Sequence, residues 1–417
     1  MKIFRIPLVI VLIVVAGRVF NANAQTETNL YSFGSYANDG QIPRAGLVQG
    51  SDGNFYGTTI EGGANGNVGT VFRISASGSY TNLCSFSYSD GAYPRAVLVQ
   101  GSDGNFYGTT DGGGANGGGT VFRVSPSGNY TNLYSFGSHP NDGIYPDAGL
   151  AQGSDGNFYG TTAVGGTYDS GTVFRVSPSG TYSNLHSFAG YPTDGWLPQA
   201  ALVQSSDSNL YGTTDFGGAD NDGTVFRISP SGSETILHSF GVNPNDGDLP
   251  WAGLVQGSDG NFYGTTYGGG TNSCSCGTVF RISPSGTETT LYSFVGSPSD
   301  GATLPDGLVQ GSDGNFYGTT EYGGTTNAGT VFKLSVPLSS PANQISSVQK
   351  SASNVIFNIS SIAGETYQLQ YRSSMTSGIW SNIPGVSVTN SIGALLTLTN
   401  FAGATGPQGF YRFAITP

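Results

Sequence analysis

The nine residues SDGNFYGTT at 51–59 recur letter for letter at 102–110, 154–162, 258–266 and 312–320, and a sixth copy reads SDSNLYGTT at 206–214. Aligning the copies gives one unit of about 52 residues written six times, so the unit, not the residue, is the thing to read. A complete unit, 148–188, reads AGLAQGSDGNFYGTTAVGGTYDSGTVFRVSPSGTYSNLHSF. It contains four runs rich in Val, Phe, Tyr, Thr and Ile: AGLVQ, NFYGTT, GTVFRIS and a run like YTNLYSF. Each is bounded by turn residues, as short strands are. Ser-Asp-Gly-Asn places Asp-Gly in a tight hairpin that needs a positive φ, so the Asp of each copy, such as Asp52, reads as a turn residue. Pro-Ser-Gly makes the next turn. A Gly-Gly pair such as Gly62-Gly63 follows the second strand and permits a bulge or a close backbone approach.

The ends of the repeat array decide the predicted architecture. TNLYSF at 28–33 is only a fourth strand, and the last unit, 307–334, holds only strands one to three. Two fragments that complete one unit suit a closed ring rather than an open solenoid with atypical caps. The sequence therefore predicts an all-β chain: a six-bladed β-propeller at 25–335, its blades four-stranded and antiparallel, the N-terminal strand closing the last blade. The recurring Phe72, Phe122, Phe174, Phe226, Phe280 and Phe332, with the second-strand Phe or Leu, are the expected core between blades. Beyond a Pro/Ser linker at 336–344 the motifs stop. Residues 345–417 alternate in runs such as NVIFNIS and ETYQLQYRSS, which predicts a small fibronectin-like β-sandwich.

Composition narrows the function. Glycine accounts for 67 of 417 residues, charged residues for 10% and aromatics for 12%, which suits strands and tight turns and argues against disorder. Residues 1–24 have a basic start, an apolar run and Ala22-Asn23-Ala24, the pattern of a secretory signal peptide; an uncleaved anchor is the other reading. The mature chain is expected outside the cytoplasm, secreted or at the cell surface, without a transmembrane helix. A formal charge of −12 gives no electrostatic footprint for nucleic acid. Three cysteines are no disulfide framework; Cys274 and Cys276 could bridge or be free, and Cys84 replaces a Tyr or His of other copies.

Chemistry-bearing residues are scarce. His186 and His238 occupy the Tyr slot of LYSF and read as surface substitutions. One cation per repeat follows GTVF: Arg73, Arg123, Arg175, Arg227, Arg281 and Lys333. Facing the repeated aspartates, six in the hairpin turns (such as Asp52) and six in the later loop (Asp39, Asp90, Asp142, Asp194, Asp246, Asp300), these predict a ring of structural ion pairs or Arg-to-carbonyl bonds. Asp-rich turns would suit calcium, but each Asp has a turn to serve, and no metal or cofactor is expected. Function should lie where the copies differ. The residue after the blade-entry proline is Arg44, Arg95, Asp147, Gln199 or Trp251, with Asp306 at the sixth place. The residue after GTT is Ile60, Asp111, Ala163, Asp215, Tyr267 or Glu321. Antiparallel order puts both series on one face, where Arg44, Arg95, Asp111, Asp147, Gln199, Asp215, Trp251, Tyr267, Asp306 and Glu321 could bind a sugar or a peptide.

The pattern GLVQGSDGNFYGTT…GG…GTVFRISPSG…LYSF resembles the GloVer tandem repeat of extracellular bacterial proteins, also called choice-of-anchor repeat proteins, over residues 28–335. The resemblance implies secretion and often a C-terminal sorting tail, though no Pro-Glu-Pro tail follows here. It supplies no catalytic residue and no ligand. The sequence reading is a non-catalytic binding or scaffold protein that presents a propeller face to an extracellular carbohydrate or protein ligand. Its alternative is a carbohydrate-active hydrolase or lyase with Asp carboxylates on that face.

Overall fold

The computed structural model describes residues 28–336, Pro244 excepted, together with six strands between 345 and 416. The leader expected at 1–24 and most of the linker expected at 336–344 lie outside the described residues. The described chain is all-β, without a helix. The third repeat is typical: Ala151–Gln152, Phe158–Thr162, Thr172–Val176 and Tyr182–Ser187 pair in that order as one antiparallel sheet. Five repeats build such four-stranded sheets.

The repeated letters have local causes. In the first hairpin Asp52 accepts bonds from the Asn54 backbone N–H (3.1 Å), the Asn54 amide (2.8 Å) and the Tyr56 hydroxyl (2.8 Å). The turn aspartate thus ties the hairpin to the strand that follows it, and Gly53 takes the positive φ of 82°. Gly57 of the second strand pairs with Phe72 of the third. A Cβ at Gly57 would stand 2.7 Å from the Phe72 ring and 2.8 Å from Leu47, so glycine there lets the Phe lie flat across the sheet.

Neighbouring sheets meet through one recurring apolar junction. Between the second and third repeats Tyr107, Val121 and Phe136 pack on Leu150, Phe158, Phe174 and Val176. Tyr107 stacks on Phe158 at 3.9 Å, and Phe136 meets Phe174 edge-on at 5.1 Å. Each buried Phe contributes roughly 1.5–3 kcal/mol, so these junctions dominate cohesion. Five of the six Phe positions expected in the core are buried, Phe332 of the three-stranded last sheet being only partly so, and the Tyr of FYGTT joins them in the first five repeats. A polar clip adds to each junction: Gln100 accepts from the Ser51 N–H at 2.9 Å, and Gln152 from the Ser102 N–H at 3.0 Å.

The two ends of the array differ from the expected closure. Residues 28–33 form no strand, and the sixth repeat, Val309–Gln310, Phe316–Thr320 and Thr330–Leu334, stays three-stranded. Val331 is 81% exposed where its counterparts Val121 and Val173 are at 0%, and Leu47 is 53% exposed where Leu98 is at 3%. The N-terminal segment instead packs on the first sheet. There Tyr31 stacks on Tyr80 at 3.9 Å and Phe33 meets Phe72 at 5.1 Å, the contacts that a preceding repeat's fourth strand would make.

Of the two contacts expected for the repeated cations, the carbonyl bond occurs at two positions and the ion pair at one, so no ring of ion pairs forms among the described residues. Arg73 and Arg123 donate to the carbonyls of Pro126 (3.2 Å) and Pro178 (3.4 Å) one repeat on. Arg175 reaches the Ser183 hydroxyl at 3.4 Å, and Arg227 and Arg281 stand beside Tyr211 and Tyr263. Among the described residues only Lys333 of the series pairs with a carboxylate, and that is the hairpin Asp313, at 3.1 Å. The later-loop aspartates are taken by other donors: Asp142 accepts from the Tyr134 hydroxyl at 2.8 Å and the Gly143 N–H at 3.0 Å.

Beyond the linker, Ile345–Ser351, Asn354–Ser360 and Leu395–Asn400 form one three-stranded antiparallel sheet. Ser381–Thr389, Thr366–Arg372 and Phe410–Thr416 form another.

Candidate functional site

The two variable series meet because the blade-entry segment pairs with the loop after the second strand. Gly143–Ile144 pairs with Val164–Gly165, and the same ribbon recurs in four other repeats; in the second repeat it shrinks to one bridge between Ala92 and Gly112. One further bond fixes the pairing of the variable residues. The N–H of Asp111 donates to the Tyr93 carbonyl (3.1 Å), that of Asp215 to Leu197 (3.2 Å) and that of Tyr267 to Leu249 (3.0 Å). Each acceptor lies two residues before the variable entry residue, so the two side chains emerge together.

That backbone is held in an unusual conformation. Ile42, Tyr93, Tyr145, Leu197, Leu249 and Thr303 have φ of 56°, 60°, 59°, 62°, 54° and 54°. None is glycine, and two are β-branched, for which the left-handed region is a genuine outlier. Strain of this kind costs of order 1–3 kcal/mol per residue and concentrates at functional surfaces. Here it recurs at every entry.

The face so built is chemically mixed. Arg95 Nη2 stands 3.2 Å from Asp111 Oδ2, and Arg95 Nε 3.8 Å from Asp147 Oδ1. The Gln199 amide donates to Asp215 Oδ2 at 2.9 Å. Trp251 stacks on Tyr267 with centroids 4.0 Å apart and planes at 29°. Elsewhere the partner is aliphatic (Arg44 with Ile60, Asp147 with Ala163) or like-charged (Asp306 with Glu321). Asp147 Oδ1 is buried without a hydrogen-bond partner. Burial, then the charge of Asp111, pushes the Asp147 carboxyl up to about 6, against the pull of Arg95 and Arg44. Arg44 belongs to the first repeat and Asp147 to the third, so side chains from successive repeats share one electrostatic environment. Burial alone pushes Asp215 up to about 7.

Two features of the structure were not anticipated. A cleft of about 620 Å³ is lined by Ser170, Ala189, Gly190, Tyr191, Trp196, Asp220 and Asn221. Its signal was present: the residue after the loop Asp-Gly also varies, from Gln41 to Ile144 to Trp196. The second feature corrects the reading of the histidines. His186 and His238 are not surface substitutions but partly buried partners of the later-loop aspartates, His186 Nε2 lying 3.1 Å from Asp194 Oδ2 and His238 Nε2 2.9 Å from Asp246 Oδ2.

The histidines sit in a slot present at every junction. In its aromatic form Tyr134 bonds Asp142 and stacks on Tyr182 of the next repeat, centroids 3.8 Å apart and planes at 6°. At the next two junctions His replaces the first Tyr and Glu the second. His186, Asp194 and Glu234 then meet, as do His238, Asp246 and Glu288, with one ligand atom of each residue within 4.8 Å of the others. Burial opposes ionisation of Asp194, but bonds from His186 and the Ala189 and Gly195 N–H groups hold its carboxyl below the usual range. Burial, with Asp194 adjacent, pushes Glu234 up to about 7.

Cys274 and Cys276 form a disulfide, Cα atoms 5.2 Å apart. Among the described residues no helix is long and apolar enough to cross a membrane.

A family model described as the Gloeobacter/Verrucomicrobia repeat matches residues 14–206 and again 153–348. No curated protein matches the sequence significantly. Among solved structures, the BP39L lectin from Burkholderia pseudomallei is 12% identical, with 84% of this chain and 99% of that one covered and a TM-score of 0.41. PorZ, a surface component of the type-IX secretion system of Porphyromonas gingivalis, is 14% identical over 87% of this chain and 58% of that one, TM-score 0.43. An ulvan lyase of polysaccharide lyase family PL25 is 11% identical over 77% and 82%, TM-score 0.42. At these values none of the three bears on ligand or activity.

Proposed function

We propose a binding function for this chain, which belongs to the Gloeobacter/Verrucomicrobia repeat family: it is exported by its leader and presents its strained loop face to an extracellular carbohydrate. The observation that carries this reading is the stacked Trp251–Tyr267 pair. Trp251 is 36% exposed, and an aromatic plate beside fixed polar groups is what a sugar ring needs: a π-face for its C–H side and hydrogen-bonding groups for its hydroxyls. Gln199 and Asp215 supply those groups on the adjacent repeat, and Arg95, Asp111 and Asp147 on the second and third. A glycan array with the mature protein tests this. Saturable binding that Trp251→Ala weakens supports it, and an array without hits removes it.

The enzymatic reading rests on one specific observation. Asp147 lies beside a second carboxylate, Asp111, and burial, then that charge, pushes its carboxyl up to about 6; two neighbouring carboxyl groups serve glycoside chemistry. Turnover of a polysaccharide that Asp147→Asn abolishes would establish it in place of pure binding.

In its finer form the architecture is part of this proposal. Six blades close as a propeller when residues 28–33 serve as fourth strand of the last blade, and the strands of 345–416 pack as a sandwich. Closure is supported by the half-junction already formed, Tyr31 on Tyr80 and Phe33 on Phe72, and by the matching exposure of Leu47 and Val331.

A further inference from the structure

Among the described residues five junctions repeat one slot, and two of them are rewritten in the same way. Where the slot holds Tyr31 or Tyr134, the facing residue of the next repeat is Tyr80 or Tyr182, stacked on it. Where it holds His186 or His238, the facing residue is Glu234 or Glu288. Both members change together, twice, and in both cases a ring pair becomes an imidazole nitrogen and a carboxylate around an aspartate that was already there.

The rewritten slots are poorly explained as packing. Two carboxylates within 4.8 Å of each other, half-buried, repel and lose solvation. Oε1 of Glu234 is buried with no hydrogen-bond partner. Asp246, with its side chain only 2% exposed, is held by His238 and the Gly247 N–H. In the forms that ligate a metal, a neutral imidazole and two ionised carboxylates, the three groups carry a charge of −2 that a divalent cation cancels. One nitrogen and two carboxylate oxygens on short, rigid strands and a pinned loop form a mixed donor set of borderline softness, suited to zinc or manganese.

We propose that His186–Asp194–Glu234 and His238–Asp246–Glu288 are two equivalent sites for a divalent transition-metal ion, each bridging adjacent repeats. The ligands at each site come from two successive repeats: His and Asp from one, Glu from the fourth strand of the next. A bound ion therefore staples neighbouring sheets at the outer end of the junction, where the aromatic version relies on ring stacking. Water would fill the coordination positions that the protein leaves free.

The test uses the mature full-length protein, stripped with chelator, and titrates Zn²⁺, Mn²⁺ and Ca²⁺ separately by calorimetry. The expected result is saturable binding of two Zn²⁺ per chain, with a rise in melting temperature on binding. Two paired substitutions restore the aromatic slot: His186→Tyr with Glu234→Tyr, and His238→Tyr with Glu288→Tyr. Each pair copies Tyr134 and Tyr182 and so keeps a junction the fold already uses. Each should lower the stoichiometry from two to one while the protein still melts cooperatively, and the fourfold variant should bind none. Co²⁺ should give visible ligand-field bands that disappear in the fourfold variant. The proposal is overturned if neither Zn²⁺ nor Mn²⁺ binds saturably, whether or not Ca²⁺ does, or if the fourfold variant keeps full stoichiometry.

Discussion

Tyr31 lies on Tyr80 with ring centroids 3.9 Å apart and planes at 6°, while Tyr134 lies on Tyr182 at 3.8 Å and 6°. The N-terminal segment therefore docks on the first sheet as the fourth strand of a preceding repeat does on its successor. What it lacks is its own sheet. By the register that pairs Arg281 with Thr289 and Val279 with Tyr292, Lys333 would oppose Thr28 and Val331 would oppose Tyr31. In a Thr28→Cys, Lys333→Cys protein, oxidation should yield an intramolecular disulfide if the ring closes in solution. Cys84 should not compete, since burial, then Asp90, pushes its thiol up to about 12. A ladder of disulfide-linked oligomers on a non-reducing gel would instead place the two ends on different molecules and refute closure.

Trp251→Ala removes the aromatic plate without touching a junction core. We expect affinity for a recognised glycan to fall about tenfold, the equivalent of ~1.4 kcal/mol, with the melting temperature almost unchanged. Calorimetry against the best array hit, together with a thermal melt, measures both.

Asp215 makes stability depend on pH. Its carboxyl rises from an ordinary 3.8 to about 7 in the folded chain, so the folded state holds the proton more tightly than the unfolded one. Its contribution is fully present below about 4 and is lost as pH rises to 7 and beyond. Asp147, raised to about 6, acts in the same direction. The urea midpoint should therefore be higher at pH 5 than at pH 8, and Asp215→Asn, which keeps an acceptor for Gln199, should narrow that difference. A difference unaltered in the variant would contradict the assignment.

Ser208 stands where five other hairpins carry glycine and has a φ of 64°. A left-handed serine is strained where glycine is not, so Ser208→Gly should stabilise the protein by about 1 kcal/mol, or roughly 2 °C in melting temperature. Conversely, Gly108→Ala places a Cβ 2.7 Å from both Leu98 and Phe122 and should destabilise by ~1–3 kcal/mol. Chemical denaturation of the two variants checks both signs.

The repeat was legible in the letters because each one answers a local demand. Asp-Gly makes a hairpin, the Gly of FYG makes room for the Phe of GTVF, and alternating apolar residues make half-buried strands. These depend on near neighbours in the chain, so the sequence alone determined the strand order and the sheet core, and it brought the two variable residues of a repeat side by side. Tertiary structure decided what depends on contacts about fifty residues or more apart. It chose Arg-to-carbonyl and hydroxyl contacts over ion pairs for the repeated arginines, because the later-loop aspartates were already held by Tyr, His and backbone donors. It left the last sheet without its fourth strand. It also brought His186 to Glu234 and His238 to Glu288 across a repeat boundary, a meeting that neither residue's own repeat contains, since the register between sheets is set by packing and not by sequence spacing.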